Sequence, residues 1–376
     1  MKIFVVCVKL NGGGAERVGV SLANSLASRG HHVYMISNIH EPIVYSLSEQ
    51  VELKSLCANT NNTFFKWISS IKKIRSYIND YKPDVIIGIM QLCSFVAKIA
   101  SLGTGIPVIM TEHDSFERPQ SAPFSKIDVF CKFYLNRIYN HITVLTKADE
   151  IIARNRIKNI SVMPNPLFIE TKTNTIIPRQ KVILAAGRID DWHYKGFDVL
   201  LNAWGRIAKK HPDWKVNIMG KCNKRDNLEF LTKIAKENNI ENSVNFIGYK
   251  TNVQNLYDES EIFVLSSRYE GFGLVLIEAM NQGCAPVVCD YKGRQREILC
   301  PEGVSSSMFK ESGIEICENG ILCEPDNAEA LALALEKMIE DEEYRKKVHI
   351  NTPLRASYYS LNNTAERWEN LIESII

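Results

Sequence analysis

The chain lacks a cysteine framework: its ten cysteines form no CxxC pair or ladder. The closest, Cys284 with Cys289 and Cys317 with Cys323, stand in apolar or strand-like surroundings, so all ten are expected to be reduced core thiols in a cytoplasm. No apolar run approaches the ~18–20 residues that a membrane-spanning helix needs, and Met1-Lys2-Ile3-Phe4 passes straight into a strand where a cleavable signal would stand. The expectation is a protein that is soluble or attached to a membrane surface. Net charge is also scarce, since 45 basic residues against 43 acidic leave +2. That balance argues against a polyanion such as DNA as the main partner. Internal repeats and low-complexity tracts are missing as well.

What is there is a long α/β chain. At 376 residues it exceeds the ~250–300 at which a single core stops growing, so two domains are expected. Short apolar runs alternate with amphipathic stretches, as parallel βα units require. The runs are Ile3–Val8, His32–Ile36, Val85–Ile89, Val108–Thr111 and Ile142–Leu145, then Val182–Ala186, Trp214–Met219, Val244–Ile247, Ile262–Leu265 and Pro286–Cys289. Continuous apolar strands are those buried on both faces by helices, which predicts two doubly wound halves. Phe168–Gln180, after Pro164-Asn165-Pro166, has little periodicity and is the expected linker. Helices are expected at Ala328–Ile339, on to about Ser357, and at Asn363–Ile375 with Trp368, Leu371 and Ile375 on an apolar face.

In such sheets ligands gather at the carboxyl ends of the strands, so the strand-to-helix loops should carry the chemistry. Asn11-Gly12-Gly13-Gly14-Ala15-Glu16-Arg17 follows the first strand, and its glycines would let backbone approach a phosphate. Arg17 stands where a dinucleotide fingerprint needs its third glycine, and strand two ends in Ile36-Ser37-Asn38 without a ribose-binding acid, which disfavours NAD. A tight turn with no ligand is the alternative for that loop. Gly187-Arg188-Ile189-Asp190-Asp191-Trp192-His193-Tyr194-Lys195-Gly196 opens the second half, and Arg188 with Lys195 suits a diphosphate leaving group. Solvated surface charge is the plain alternative for either residue alone. Ser266–Met280 sets Glu270 before Gly271-Phe272-Gly273 and Glu278 inside a helix from Leu274 to Met280. Among apolar neighbours Glu278 needs a partner, and a ribose diol can donate two hydrogen bonds to it.

Taken together, Gly13-Gly14, Glu112-His113, Gly187-Arg188 with Lys195-Gly196, and Glu270-Gly271-Phe272-Gly273 with Glu278 resemble the retaining nucleotide-sugar glycosyltransferases of glycosyltransferase family 4. The resemblance spans nearly the whole chain, and the acid pair seven residues apart is its more specific element. It implies the GT-B fold, two Rossmann-like doubly wound domains with the active site in the cleft between them. Residues 1–170 would form the acceptor domain, joined by a returning helix at 360–376, and 171–359 the donor domain. Arg188 and Lys195 would bind and stabilise the diphosphate, assisted by Gly13, Gly14 and the amides of Phe272, Gly273 and Leu274. Glu278 would hold the ribose, Glu270 the transferred sugar, and His113 the sugar near its reacting carbon. Asn165 and Glu297 fall on family positions with vaguer roles.

A retaining glycosidase would flank the bond with two carboxylates, but Glu278, two helical turns beyond Glu270 at ~1.5 Å per residue, should point elsewhere along the donor. The resemblance implies instead that the leaving phosphate accepts the acceptor's proton. No metal or other cofactor is expected, since no Asp/Glu/His cluster has ligand spacing and two cations already serve the diphosphate. The donor is expected to be a UDP-sugar, and the acceptor a saccharide linked to a lipid such as undecaprenyl diphosphate, in surface-polysaccharide synthesis. Phe64–Ile78 is helical in period, with Lys66 and Lys73 opposite Phe64, Ile68 and Ile71. It could lie on the inner face of the cytoplasmic membrane or simply pack on the core. A nucleotide-sugar epimerase of similar fold and a non-catalytic sugar-nucleotide sensor are the alternative functions.

Overall fold

The computed structural model describes every residue except 61, 120–122, 170–177, 251, 302–308, 310 and 311. It divides into two compact units, residues 1–166 with 359–376, and residues 167–358. Of the expected linker, Thr171, Thr173, Asn174 and Thr175 lie outside the described residues.

Unit 1 holds strands β1 (Lys2–Val6), β2 (His32–Ser37), β3 (Val51–Ser55), β4 (Val85–Ile89), β5 (Val108–Thr111), β6 (His141–Val144) and β7 (Ile160–Val162). Helices α1 (Gly14–Ser28), α2 (Thr63–Tyr81), α3 (Met90–Ala100), α4 (Lys126–Phe133) and α5 (Lys147–Arg154) connect them. The sheet runs β3-β2-β1-β4-β5-β6-β7, and its pairings are parallel. The central strands are buried along their length because helices cover both faces, which is why they read as unbroken apolar runs.

Unit 2 repeats the plan with β8 (Gln180–Ala186), β9 (Lys215–Met219), β10 (Val244–Gly248), β11 (Ser260–Leu265), β12 (Ala285–Cys289), β13 (Ile314–Cys317) and β14 (Gly320–Cys323). Its helices are α6 (Trp192–Lys195), α7 (Phe197–Ile207), α8 (Arg225–Glu237), α9 (Gln254–Glu259), α10 (Leu274–Asn281), α11 (Arg296–Leu299), α12 (Ala328–Glu340) and α13 (Glu342–Ala356). The order is β10-β9-β8-β11-β12-β14-β13, parallel except for the β13–β14 hairpin. Trp204 of α7 is fully buried among Ile183, Val216 and Leu335, and its indole donates to Ser243 Oγ at 2.9 Å. The last helix, α14 (Leu361–Glu373), belongs to unit 1, where Trp368 and Ile372 pack with Leu26 and Met163 and Glu369 pairs with Arg29 at 2.7 Å and His31 at 2.8 Å.

In each sheet the strand order reverses between two neighbours, β1 and β4 in unit 1 and β8 and β11 in unit 2. Loops leaving such a pair splay apart at the carboxyl edge and open a crevice for ligands.

One expectation fails here. Cys300 and Cys317 form a disulfide, while eight other cysteines are free thiols, Cys7, Cys57, Cys93, Cys284, Cys289 and Cys323 buried and Cys131 and Cys222 half-buried. The β13–β14 hairpin turns back and carries Cys317 to the carboxyl cap of α11, where Cys300 stands. A separation of 17 residues in sequence concealed that approach, and the inference to a cytoplasm loses the support it took from reduced thiols.

Candidate active site

The loop after β8 is pinned along the end of β9. Gly187 N donates to Met219 O and Ile189 N to Lys221 O, each at 2.9 Å. A Cβ on Gly220 would lie 1.7 Å from Gly187 O, so only glycine lets these backbones approach. Asp190 accepts from Asn223 N at 2.8 Å and Lys224 N at 3.0 Å, and those two amides hold its carboxyl down at about 2. Arg188 faces solvent, its side chain 75% exposed, and pairs with Asp191 at 2.7 Å.

Lys195 behaves differently. Its stem lies over Gly187, and its ammonium reaches Glu270 Oε1 at 2.5 Å. Ser267 Oγ donates to the same carboxylate oxygen at 2.9 Å. The β8 and β11 loops are in contact along their backbones: Ser266 Oγ donates to Lys195 O at 2.8 Å, and Arg268 N to Tyr194 O at 2.9 Å. Gly196 has φ +61°, and a Cβ there would stand 1.9 Å from Ser266 O. The structure thus joins Lys195 and Glu270, 75 residues apart, and leaves Arg188 at the surface.

Beyond Glu270, Gly273 takes φ +100° and caps α10, its carbonyl accepting from Leu276 N at 2.9 Å. Phe272 is buried, and Gln295 Nε2 donates to its carbonyl at 3.5 Å. Gln295 Oε1 also accepts from Tyr291 N at 2.9 Å, so the loop after β12 supports the glycine loop. Arg296, which opens α11, pairs with Asp290 at 3.2 Å and Glu315 at 2.5 Å, pairings that the sequence did not announce. Leu274 begins α10, and Glu278 one turn on is buried and accepts from Tyr257 Oη at 3.5 Å.

In unit 1, the amides of Gly12 and Gly13 donate to the Glu16 carboxylate at 3.0 and 2.8 Å. An acid of the chain itself therefore stands where an anion was expected, because Glu16 folds back from the first turn of α1 beginning at Gly14. His113 follows β5. Thr111 Oγ1 donates to Gly88 O at 3.2 Å and contacts one ring nitrogen of His113, Nε2, at 3.0 Å, and the other ring nitrogen is Nδ1. That Nδ1 is buried with no hydrogen-bond partner among the described residues. Burial pushes the His113 pKa down to about 4, with the Asn165 side chain opposing. Its neighbour Glu112 is bound by Lys132 at 2.8 Å, both side chains being buried, and burial raises the Glu112 pKa despite that partner.

The family described as "Glycosyltransferase Family 4" matches residues 12–169, and "Glycosyl transferases group 1" matches 169–355. An uncharacterized glycosyltransferase of Haemophilus influenzae is 29% identical over 362 residues, 96% of each chain. The GalNAc-alpha-(1->4)-GalNAc-alpha-(1->3)-diNAcBac-PP-undecaprenol alpha-1,4-N-acetyl-D-galactosaminyltransferase of Campylobacter jejuni is 26% identical over all of this chain and 99% of its own. Among solved structures, Anabaena HepE in complex with UDP superposes with a TM-score of 0.76 at 18% identity, both chains covered in full.

Proposed function

Since the chain belongs to the family 4 and group 1 glycosyltransferases and has the two Rossmann-like domains of their GT-B fold, we propose that it is a retaining hexosyltransferase using a UDP-sugar. The observation that carries this reading is the Lys195–Glu270 pair, held with Ser267 between the loops of β8 and β11 where the strand order reverses. The superposition on a protein solved with UDP supports the choice of base.

In this reading Lys195 Nζ meets the donor diphosphate, and Arg188 exchanges Asp191 for it. The amides of Phe272, Gly273 and Leu274 add to the anion site, Glu278 takes the ribose diol, and Glu270 takes hydroxyls of the transferred sugar. Gly13 and Gly14 reach the donor once Glu16 gives up the Gly12 and Gly13 amides, and His113 Nδ1 accepts from a sugar hydroxyl. The bond from the anomeric carbon to the β-phosphate oxygen breaks, its electron pair leaving with UDP. The acceptor oxygen bonds to that carbon on the same face, and its proton passes to the departing phosphate oxygen. Preorganised cations are the main catalytic effect, and no metal is required.

The acceptor we propose is a lipid-linked saccharide. The undecaprenol-linked acceptor named for the Campylobacter relative supports it, as does the first turn of α2, where Phe64 and Phe65 are 69% and 60% exposed. The test is turnover of UDP-sugars with a polyprenyl-diphosphate-linked saccharide, followed by the anomeric configuration of the product. Retained configuration, activity surviving EDTA and a ~10²–10³-fold loss in Lys195→Ala are expected. Inverted product or near-normal Lys195→Ala would sink the assignment.

A further inference from the structure

The contact between Lys195 and Glu270 depends on how the loops of β8 and β11 are held, and one side chain grips them on both sides of Lys195. Arg268 Nη1 and Nη2 donate to the two carboxylate oxygens of Asp198, each at 2.7 Å, and Asp198 lies in the first turn of α7, just after Lys195. Nη1 also donates to His193 O at 2.7 Å, within α6 just before Lys195, and Nε donates to Asp326 at 2.7 Å. The Arg268 amide donates to Tyr194 O at 2.9 Å. The side chain is 16% exposed, as against 75% for Arg188.

We infer that Arg268 is a positioning residue for the proposed transfer: its fork locks α6 and the start of α7 against the β11 loop and so fixes Lys195 beside Glu270. Asp198 and Asp326 neutralise its charge, leaving it nothing to offer the diphosphate directly. Its contribution is geometric, and a planar fork is required because the ammonium of a lysine cannot meet both oxygens of Asp198 in one plane. A shift of ~1 Å in a catalytic group costs ~10²-fold in rate, so the lock matters even though Arg268 touches no substrate.

The inference rests on the role given to Lys195, and a double-mutant design separates the two. Turnover is measured for Arg268→Gln and Asp198→Asn, each in the wild-type background and with Lys195→Ala, with thermal stability followed in parallel. Each lock variant is expected to lose ~10–100-fold in turnover when Lys195 is present and to lose nothing further when it is absent. Equal losses in both backgrounds, or normal turnover of Arg268→Gln, would overturn the positioning role while leaving the Lys195 assignment standing. Near-normal turnover of Lys195→Ala alone would remove the assignment and this inference with it. Should Arg268→Gln fail to fold, Asp198→Asn, which keeps the shape of the partner and removes its charge, supplies the same comparison.

Discussion

Lys195 has a carboxylate partner in Glu270, and this decides how the residues around it act. An ammonium held at 2.5 Å from Glu270, with side chains 23% and 13% exposed, is already oriented and partly desolvated. In the proposed reading a donor diphosphate would share a fixed cation and need not order a flexible one. His113 makes the corresponding case for a neutral group. With a folded pKa of about 4 against an ordinary value near 6.5, the fold binds this proton less readily than the unfolded chain does. Its contribution to stability is complete above ~6.5 and is lost as pH falls from there towards 4. The fall in Tm from pH 7 to pH 5 should therefore be smaller in His113→Gln than in wild type, and an equal or larger fall would contradict the assignment. Lys195 and Glu270 could be singled out from sequence because both follow apolar runs and precede helices. Arg268 could not, since its partner Asp198 lies 70 residues away and nothing local signals the pairing. The turning back of Glu16 onto Gly12 and Gly13 was equally hidden, because an acid three residues after a glycine can cap a helix or face solvent.

Among the elements, α2 separates into two parts with different surroundings. From Ser70 onward Ile74 and Ile78 are buried in the unit 1 core and Trp67 meets Phe95 edge-on, whereas Phe64 and Phe65 project from the first turn. The apolar stripe read along the whole helix is therefore core packing for most of its length, and only its first turn is left exposed. Helix α4 adds an apolar surface that the sequence reading missed, with Ile127 74% and Phe130 58% exposed. No helix of the described residues is long and apolar enough to cross a membrane. If the acceptor is lipid-linked, the protein should bind anionic vesicles at low salt, and Phe64→Ser with Phe65→Ser should weaken binding at least ~10-fold. Failure of the wild type to bind would count against a lipid acceptor. Four strands were missed from sequence: β14, which is buried between β12 and β13, and three edge strands that share one cause. β3, with Glu52 and Lys54, and the three-residue β7 are edges with one neighbour, and β13 is an antiparallel edge with exposed Ile316, so none reads as a continuous buried run.

For the molecule as a whole, the alternation of buried strands and helices was legible as two doubly wound units, because each central strand carries a continuous apolar run. Strand order was not legible, and it is strand order that makes β8 and β11 neighbours and brings Lys195 to Glu270. The return of α14 to unit 1 follows from the burial of Trp368 and Ile372 against Leu26. The disulfide between Cys300 and Cys317 depends on a hairpin that no periodicity announced. The proposed function requires unit 2 to bind a nucleoside diphosphate through Lys195. Thermal unfolding of the full chain with UDP, GDP, ADP and NAD tests it most directly, since a ligand at ~100 times its Kd adds ~2.7 kcal/mol of stability. A rise of several degrees with UDP, abolished in Lys195→Ala, is the expected result; no rise with any nucleoside diphosphate, or a rise with NAD alone, would overturn the donor assignment.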